Sequence, residues 1–335
     1  MIMTSLRDVS RPVRLGTWPT PLEPMPRLAE SLGLGAEDLW IKRDDLVGLG
    51  GGGNKIRKLE WLCGAAVAEG ATHLVTTGAP QSNHARLTAA AGARLGLETV
   101  LVLAGTPDTA ARGNLALDAL FGATCVWAGA VDGPALTAAA EEVASRLRAE
   151  GALPAVIPFG GSSALGARGY ASCGHELLMQ DPDLDTVVVA VGSGGTMAGL
   201  VHALGPRRVL GVHCGAVSDP AGAVATLVSE LSGAPLAPDS LRLRMDQVGE
   251  SYGALAEPVM DAMKRTARTE GIALDPVYTG RAVAGLVAAV ADGDITPGRR
   301  TVFLHTGGLP GLFGHSGALE ATAADLASRS VTHTH

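Results

Sequence analysis

Short apolar runs rich in β-branched residues alternate along the chain with longer Ala- and Leu-rich segments. The runs 73–76, 99–103, 124–127, 155–157, 186–190, 208–213 and 301–305 read as strands. Several are apolar throughout, the pattern of parallel strands covered on both faces. Segments 55–69, 84–95, 113–121, 134–150, 164–180, 220–231, 254–270 and 281–292 read as helices, and a further Ala/Leu helix follows residue 196. This alternation predicts an α/β fold with parallel sheets and right-handed crossovers. No repeat, heptad run or low-complexity linker marks a domain boundary. The only long uncharged stretch, 187–205, is broken by Gly192-Ser193-Gly194-Gly195. It reads as strand, loop and helix rather than as a membrane span.

Composition narrows the picture. With 47% hydrophobic and 18% charged residues, global disorder is excluded. A chain of 335 residues can bury a large core and is expected to split into two domains. Aromatics are 3% and glycines number 45, so that core must be built from small aliphatic side chains with many turns. The net charge of −7 argues against a nucleic-acid partner. Cys63, Cys125, Cys173 and Cys214 form no C-x-x-C, so buried reduced thiols in a cytoplasmic protein are expected rather than disulfides or a metal site. The first residues lack the apolar core of a signal peptide. Residues 328–335 read as a frayed polar tail.

Ligands of parallel sheets sit where strand C-termini meet helix N-termini, which singles out the loops 50–55, 78–84, 192–196 and 306–310. Gly50-Gly51-Gly52-Gly53 delivers Asn54 and Lys55 to the start of a helix. A cation is out of place at the positive end of a helix dipole. That field, with burial, lowers an amine's pKa and makes it a better nucleophile; the ordinary alternative is a solvated lysine on a surface turn. Gly192-Ser193-Gly194-Gly195-Thr196 has the N–H groups of a phosphate cradle but neither the lysine of a Walker loop nor the spacing of a dinucleotide fingerprint. It suits a single phosphate monoester, and otherwise an ordinary tight turn. Gln81-Ser82-Asn83-His84 offers groups for a substrate carboxylate, or plain N-caps. No G-x-S-x-G elbow supports a hydrolase. Tyr278, one of three tyrosines, lies in the Pro/Gly-bounded loop 275–280.

The four loops, in this order, resemble the D-cysteine desulfhydrase / 1-aminocyclopropane-1-carboxylate (ACC) deaminase family, over about residues 15–312. The resemblance implies pyridoxal 5′-phosphate (PLP) as cofactor and fold type II, the tryptophan synthase β-like arrangement of two αβα domains with PLP in the cleft between them. Residues 1–57 plus 162–335 would form the large domain and 58–161 a smaller inserted one. Lys55 would form the Schiff base, and Asn54 would bond near the cofactor's phenolic oxygen. Gly192, Ser193, Gly194, Gly195 and Thr196 would hold its phosphate. Ser82, with Gln81 and Asn83, would bind the substrate carboxylate, Ser82 would also relay protons, and Tyr278, with a catalytic role, and Tyr252 would face the substrate. The family also implies a homodimer.

Within the family, ACC deaminases carry Glu directly after the tyrosine matching Tyr278, where a carboxylate facing the cofactor's pyridine nitrogen keeps it protonated and strengthens the electron sink. Here Thr279 stands there, and Thr306 stands where they usually have Leu. Both point to the desulfhydrase branch, a β-eliminating lyase taking D-cysteine to pyruvate, sulfide and ammonia. Alternatives are an L-cysteate sulfo-lyase, an ACC deaminase or, from another class, a nucleotide-dependent oxidoreductase. A sulfonate would need a basic residue nearby, for which Arg57, Arg86 and Arg168 are candidates. Met197 departs from the pattern, since desulfhydrases often have His there.

Overall fold

The computed structural model describes residues 11–107 and 111–330. In chain order its elements are β1 (Leu22–Pro24), α1 (Pro26–Ser31), β2 (Leu39–Lys42), α2 (Lys55–Ala68), β3 (His73–Gly78), α3 (Asn83–Leu95), β4 (Glu98–Leu103), α4 (Asn114–Leu120), β5 (Thr124–Trp127), α5 (Gly133–Ala149) and β6 (Pro154–Val156). There follow α6 (Ala164–Gln180), β7 (Thr186–Val191), α7 (Gly195–Leu204), β8 (Val209–His213), α8 (Pro220–Ser232), β9 (Arg242–Arg244), α9 (Glu257–Glu270), α10 (Thr279–Ala291), β10 (Thr301–Leu304), α11 (Leu309–Phe313) and α12 (Ser316–Arg329).

The strands form two sheets. One has the order β1-β2-β10-β7-β8-β9, the other β5-β4-β3-β6. Every pairing is parallel except β1 with β2. The α/β expectation with mostly parallel sheets therefore holds. The stretch 187–205 is β7, its loop and α7, and no helix among the described residues is long and apolar enough to cross a membrane.

The run Thr186–Val191 shows why the central strands read as apolar throughout. Val188 and Ala190 pack on one face with Ile41, Val212, Phe303 and residues of α9 and α10. Val187, Val189 and Val191 pack on the other with Val302, Leu304 and residues of α6 and α7. With few aromatics, the core gains its stability from many small side chains at about 1.5–3 kcal/mol each and from close backbone approach. A Cβ on Gly169 of α6 would collide with the Arg57 carbonyl of α2, and one on Gly199 of α7 with the Ala167 carbonyl of α6.

Three strands and three helices were not expected from the pattern: β1, β2, β9, α1, α11 and α12. β2 fails the apolar rule because Lys42 lies within it, fully buried. Its ammonium donates to Glu176 and, at 2.7 Å, to the Thr20 carbonyl. Arg57 of α2 completes this buried cluster, donating to Asp44 (2.8 and 2.9 Å) and Glu176 (3.0 and 3.1 Å), and Tyr170 donates to Asp44 at 2.6 Å. Burial opposes ionisation of Asp44, but Arg57 and these hydrogen bonds outweigh it and hold the carboxyl below its usual range. The cluster ties α2 to α6 and β2. β9 is Arg-Leu-Arg, an edge strand too polar to detect. The expected tail from 328 begins inside α12, which runs to Arg329; residues 331–335 lie outside the described residues.

Candidate active site

The loops at 50–55, 78–84, 192–196 and 306–310 converge at the C-terminal ends of β3, β7 and β10, around two adjoining cavities of about 450 and 750 Å³. Asn54, Lys55, Asn83, Gly192, Ser193, Gly194, Thr196, Tyr278 and Thr306 line the first. Ser82 and Tyr252 join Lys55, Gly192, Ser193 and Tyr278 around the second. Lys55, common to both, is the first residue of α2. Among the described residues its amine has no hydrogen-bond partner. Desolvation lowers its pKa from 10.5 to about 8.

The tetraglycine stretch takes positive φ at all four residues, from +58° to +129°. The tightest approach is internal rather than toward a ligand: a Cβ on Gly52 would collide with the Asp45 carbonyl. The loop is pinned further by Asn54 N–H donating to the Thr306 carbonyl at 3.0 Å and by Arg86 Nη2 donating to the Gly52 carbonyl at 3.0 Å. Glycine is thus needed to bring the start of α2 against the end of β10.

Opposite Lys55, Gly194 at φ +88° starts the ten-residue α7. The N–H groups of Ser193, Gly194 and Thr196 have no acceptor in the described protein, while Gly195 N–H donates to Ser162 Oγ at 3.2 Å. Ser162 Oγ also lies 2.7 Å from Ser193 Oγ and accepts from Lys58 Nζ at 3.1 Å. Asn54 Nδ2 donates to Thr196 Oγ1 at 2.9 Å, joining the lysine loop to the cradle.

Ser82 caps α3, its Oγ accepting from Ala85 N–H at 3.2 Å. Asn83 Oδ1 accepts from Asn114 Nδ2 at 3.1 Å. Gln81 turns away from the cavity: its Oε1 accepts from Asn114 N–H and its Nε2 donates to the Arg112 carbonyl, both at 2.9 Å. Its place is to dock the 112–114 segment beside Asn83. Tyr252 and Tyr278 share a hydrogen bond between their phenols, with the rings edge to face. Burial raises the Tyr278 pKa well above 10 and that of Tyr252 to about 12, so both keep their protons.

Thr279, expected to face a pyridine nitrogen, is placed elsewhere. Fully buried, its hydroxyl donates to Asp275 Oδ1 at 2.7 Å and accepts from Asp275 N–H at 2.8 Å. A hydroxyl has one proton to give, and this one is used. Thr306 lines the cavity instead, and its hydroxyl has no partner among the described residues. Gly195 lies behind the cradle surface, with its N–H on Ser162.

None of the three candidate arginines reaches the cavity. Arg57 is held by Asp44 and Glu176, and Arg168 lies over the Trp61 ring at 5.5 Å. Arg86 supports the glycine loop, and burial lowers its pKa to about 10. Met197 is fully buried in the core and faces Gly211 of β8, so this departure from the family pattern does not touch the site. Cys63, Cys173 and Cys214 are buried as expected, but Cys125 is only half-buried. The pattern also missed Lys58, one helical turn beyond Lys55 and lining the same cavity, and Phe159, which lines the second together with His84 of the 81–84 loop. The i, i+3 spacing of Lys55 and Lys58 was the available signal. Among the described residues, no carboxylate lines either cavity.

These features fit PLP: a shielded, unbonded lysine, a cradle with free N–H groups and an unbonded hydroxyl within one cavity. The comparisons agree. A profile of the pyridoxal-phosphate-dependent enzymes matches residues 13–307. A Pyrococcus abyssi (strain GE5 / Orsay) protein, provisionally named 1-aminocyclopropane-1-carboxylate deaminase, is 42% identical over 90% of this chain and 92% of its own. D-cysteine desulfhydrase of Salmonella schwarzengrund (strain CVM19633) is 41% identical over 89% and 94%. The crystal structure of an ACC deaminase homologue superposes with a TM-score of 0.83 at 38% identity, covering 93% of this chain and 96% of that one. At 19% identity and a TM-score of 0.61, threonine deaminase isoform 2 from Solanum lycopersicum shares the fold over 93% of this chain and 84% of its own. The chain belongs to the pyridoxal-phosphate-dependent enzymes, as a lyase of the ACC deaminase / D-cysteine desulfhydrase family.

Proposed function

We propose that the protein is a D-cysteine desulfhydrase, converting D-cysteine and one water to pyruvate, hydrogen sulfide and ammonia. The observation that carries this reading is that, among the described residues, no carboxylate lines the cavity. PLP, when bound, supplies an electron sink for the α-carbon, and a carboxylate on its ring nitrogen would strengthen that sink. Thr306, which lines the cavity, would offer that nitrogen only a neutral hydroxyl, which suits a substrate with a good leaving group such as a thiol over the opening of a cyclopropane ring. The absence of arginine from the lining disfavours a sulfonate.

The residues take these roles. Lys55 would hold the cofactor and is placed to take the α-proton of the substrate; a pKa of about 8 suits a base at neutral pH. Ser193, Gly194 and Thr196 offer N–H groups to the phosphate. Ser82 and Asn83 orient the substrate carboxylate, and Tyr278, protonated and bonded to Tyr252, faces the departing sulfur. Residues 58–161 form the inserted smaller domain, a reading supported by all four strands of the second sheet falling within that span. The test is a substrate panel of D-cysteine, L-cysteine, L-cysteate, ACC and D-serine, scored by the keto acid formed. D-cysteine should lead; ACC turnover above it would overturn the proposal.

A further inference from the structure

Arg281 is among the largest fully buried side chains of the protein, and among the described residues no carboxylate bonds to it. It sits in the first turn of α10, three residues after Tyr278. A cation there meets the positive end of the helix dipole, and burial lowers its pKa. Three backbone carbonyls hold it. Nη1 donates to Cys214 O at 2.7 Å, and Nη2 donates to Ser251 O and Ala254 O at 2.9 Å each. The carbonyls come from two separate segments of the cavity wall. Cys214 precedes Gly215 and Ala216, which line the cavity, while Ser251 and Ala254 flank Tyr252.

The segment between β9 and α9 that carries Tyr252 has no helix or strand of its own. Besides the two carbonyls on Arg281, it makes one long-range backbone hydrogen bond among the described residues, Gly253 O with His315 Nε2 at 2.9 Å. At its tip the Tyr252 phenol meets Tyr278. Tyr252 is therefore fixed from the start of α10 at both ends, by the Tyr278 phenol at the tip of its side chain and by Arg281 at its backbone. A guanidinium suits this task because its planar fork spans several acceptors at once, which a lysine ammonium does not.

We infer that Arg281 is a positioning residue, whose guanidinium gathers the Cys214, Ser251 and Ala254 carbonyls and so sets how closely Tyr252 walls in the substrate side chain. The inference rests on the lyase reading only for the identity of that substrate. The test compares wild-type, Arg281→Met and Arg281→Lys holoenzymes. All three should retain bound PLP, because Lys55 and the cradle make no contact with Arg281. Hydrogen exchange over residues 249–255 should quicken about tenfold in both variants, with the rest of the protein unchanged. KM for D-cysteine should rise about tenfold while kcat stays within about threefold. On a Tyr252→Phe background, the same substitutions should add less than about twofold to KM. Unaltered exchange over 249–255, or the same rise in KM with and without the Tyr252 phenol, would overturn the inference. Should the wild-type enzyme turn over no amino acid, the lyase reading fails, and the exchange result still decides the role of Arg281.

Discussion

Thr279 and Thr306 make a crossed pair, because one has its hydroxyl fully used and the other has none of it used. In Thr279→Val, Asp275 Oδ1 loses a hydrogen bond donated at 2.7 Å and the buried Asp275 N–H loses its acceptor at 2.8 Å. A hydrogen bond to a charged group contributes about 1.5–3 kcal/mol and an orphaned buried donor costs about 1–3 kcal/mol. Asp275 keeps three backbone donors, from Val277, Tyr278 and Thr279, so a loss of about 3 kcal/mol is expected for the pair. With an unfolding entropy of about 2.1 cal/mol/K per residue, a protein of this size loses about 4 °C of Tm for that change. Thr306→Val removes no bond within the protein and should lower Tm by no more than about 1 °C. For PLP affinity the order reverses. Losing the one hydroxyl available to the ring nitrogen should raise the Kd of PLP about tenfold in Thr306→Val, whereas Thr279→Val, if folded, should change it less than about threefold. Melting curves of apoprotein and equilibrium dialysis of PLP give both numbers. A Thr279 variant of normal stability and weakened PLP binding would refute the assignment.

Four further outcomes follow from the same geometry. Since the neutral amine is the nucleophile, capture of PLP by apoprotein should accelerate through about pH 8 and level off above it; a rise continuing to 10.5 would mean an ordinary exposed lysine. The folded amine titrates below its unfolded value, so burying it charged costs stability below about pH 8, and the cost fades as pH rises toward 10.5. Lys55→Met apoprotein should therefore melt above wild type at neutral pH, by a margin that narrows in alkali. Gly52→Ala forces a residue at φ +74° into the Asp45 carbonyl; about 1–2 kcal/mol of backbone strain alone, relieved by moving the loop, should weaken PLP binding well beyond the loss in Tm, and wild-type PLP affinity would count against it. Met197→Leu should cost under about 1.5 kcal/mol and leave the substrate ranking unchanged, as the panel can show.

Much of this was legible in the sequence where one physical rule acts alone. The central strands were readable because both of their faces are apolar, and the loops were readable because glycine and helix starts recur at strand ends. β2 was hidden because Lys42 is buried by an ion pair, which a pattern of apolar positions registers as surface. Thr279 was misjudged because spacing places a residue beside Tyr278 but does not say which neighbour takes its proton; only the fold brings Asp275 back onto it. Lys58 went unnoticed for a related reason, since its role comes from Ser162, more than a hundred residues away in the chain. Met197 looked like a departure at the site because it adjoins Thr196, yet on a helix the next residue points about 100° away, here into the core.

Lys58 also provides the sharpest control. Two amines, of the half-buried Lys55 and the buried Lys58, line one cavity a single helical turn apart. Borohydride reduction of the holoenzyme, digestion and mass spectrometry will show which one carries the cofactor. A pyridoxyl group on Lys55 within the peptide that contains it, and absent from Lys55→Ala protein, is the expected result. The same group on Lys58, or on any lysine outside the cavity, would contradict the site described.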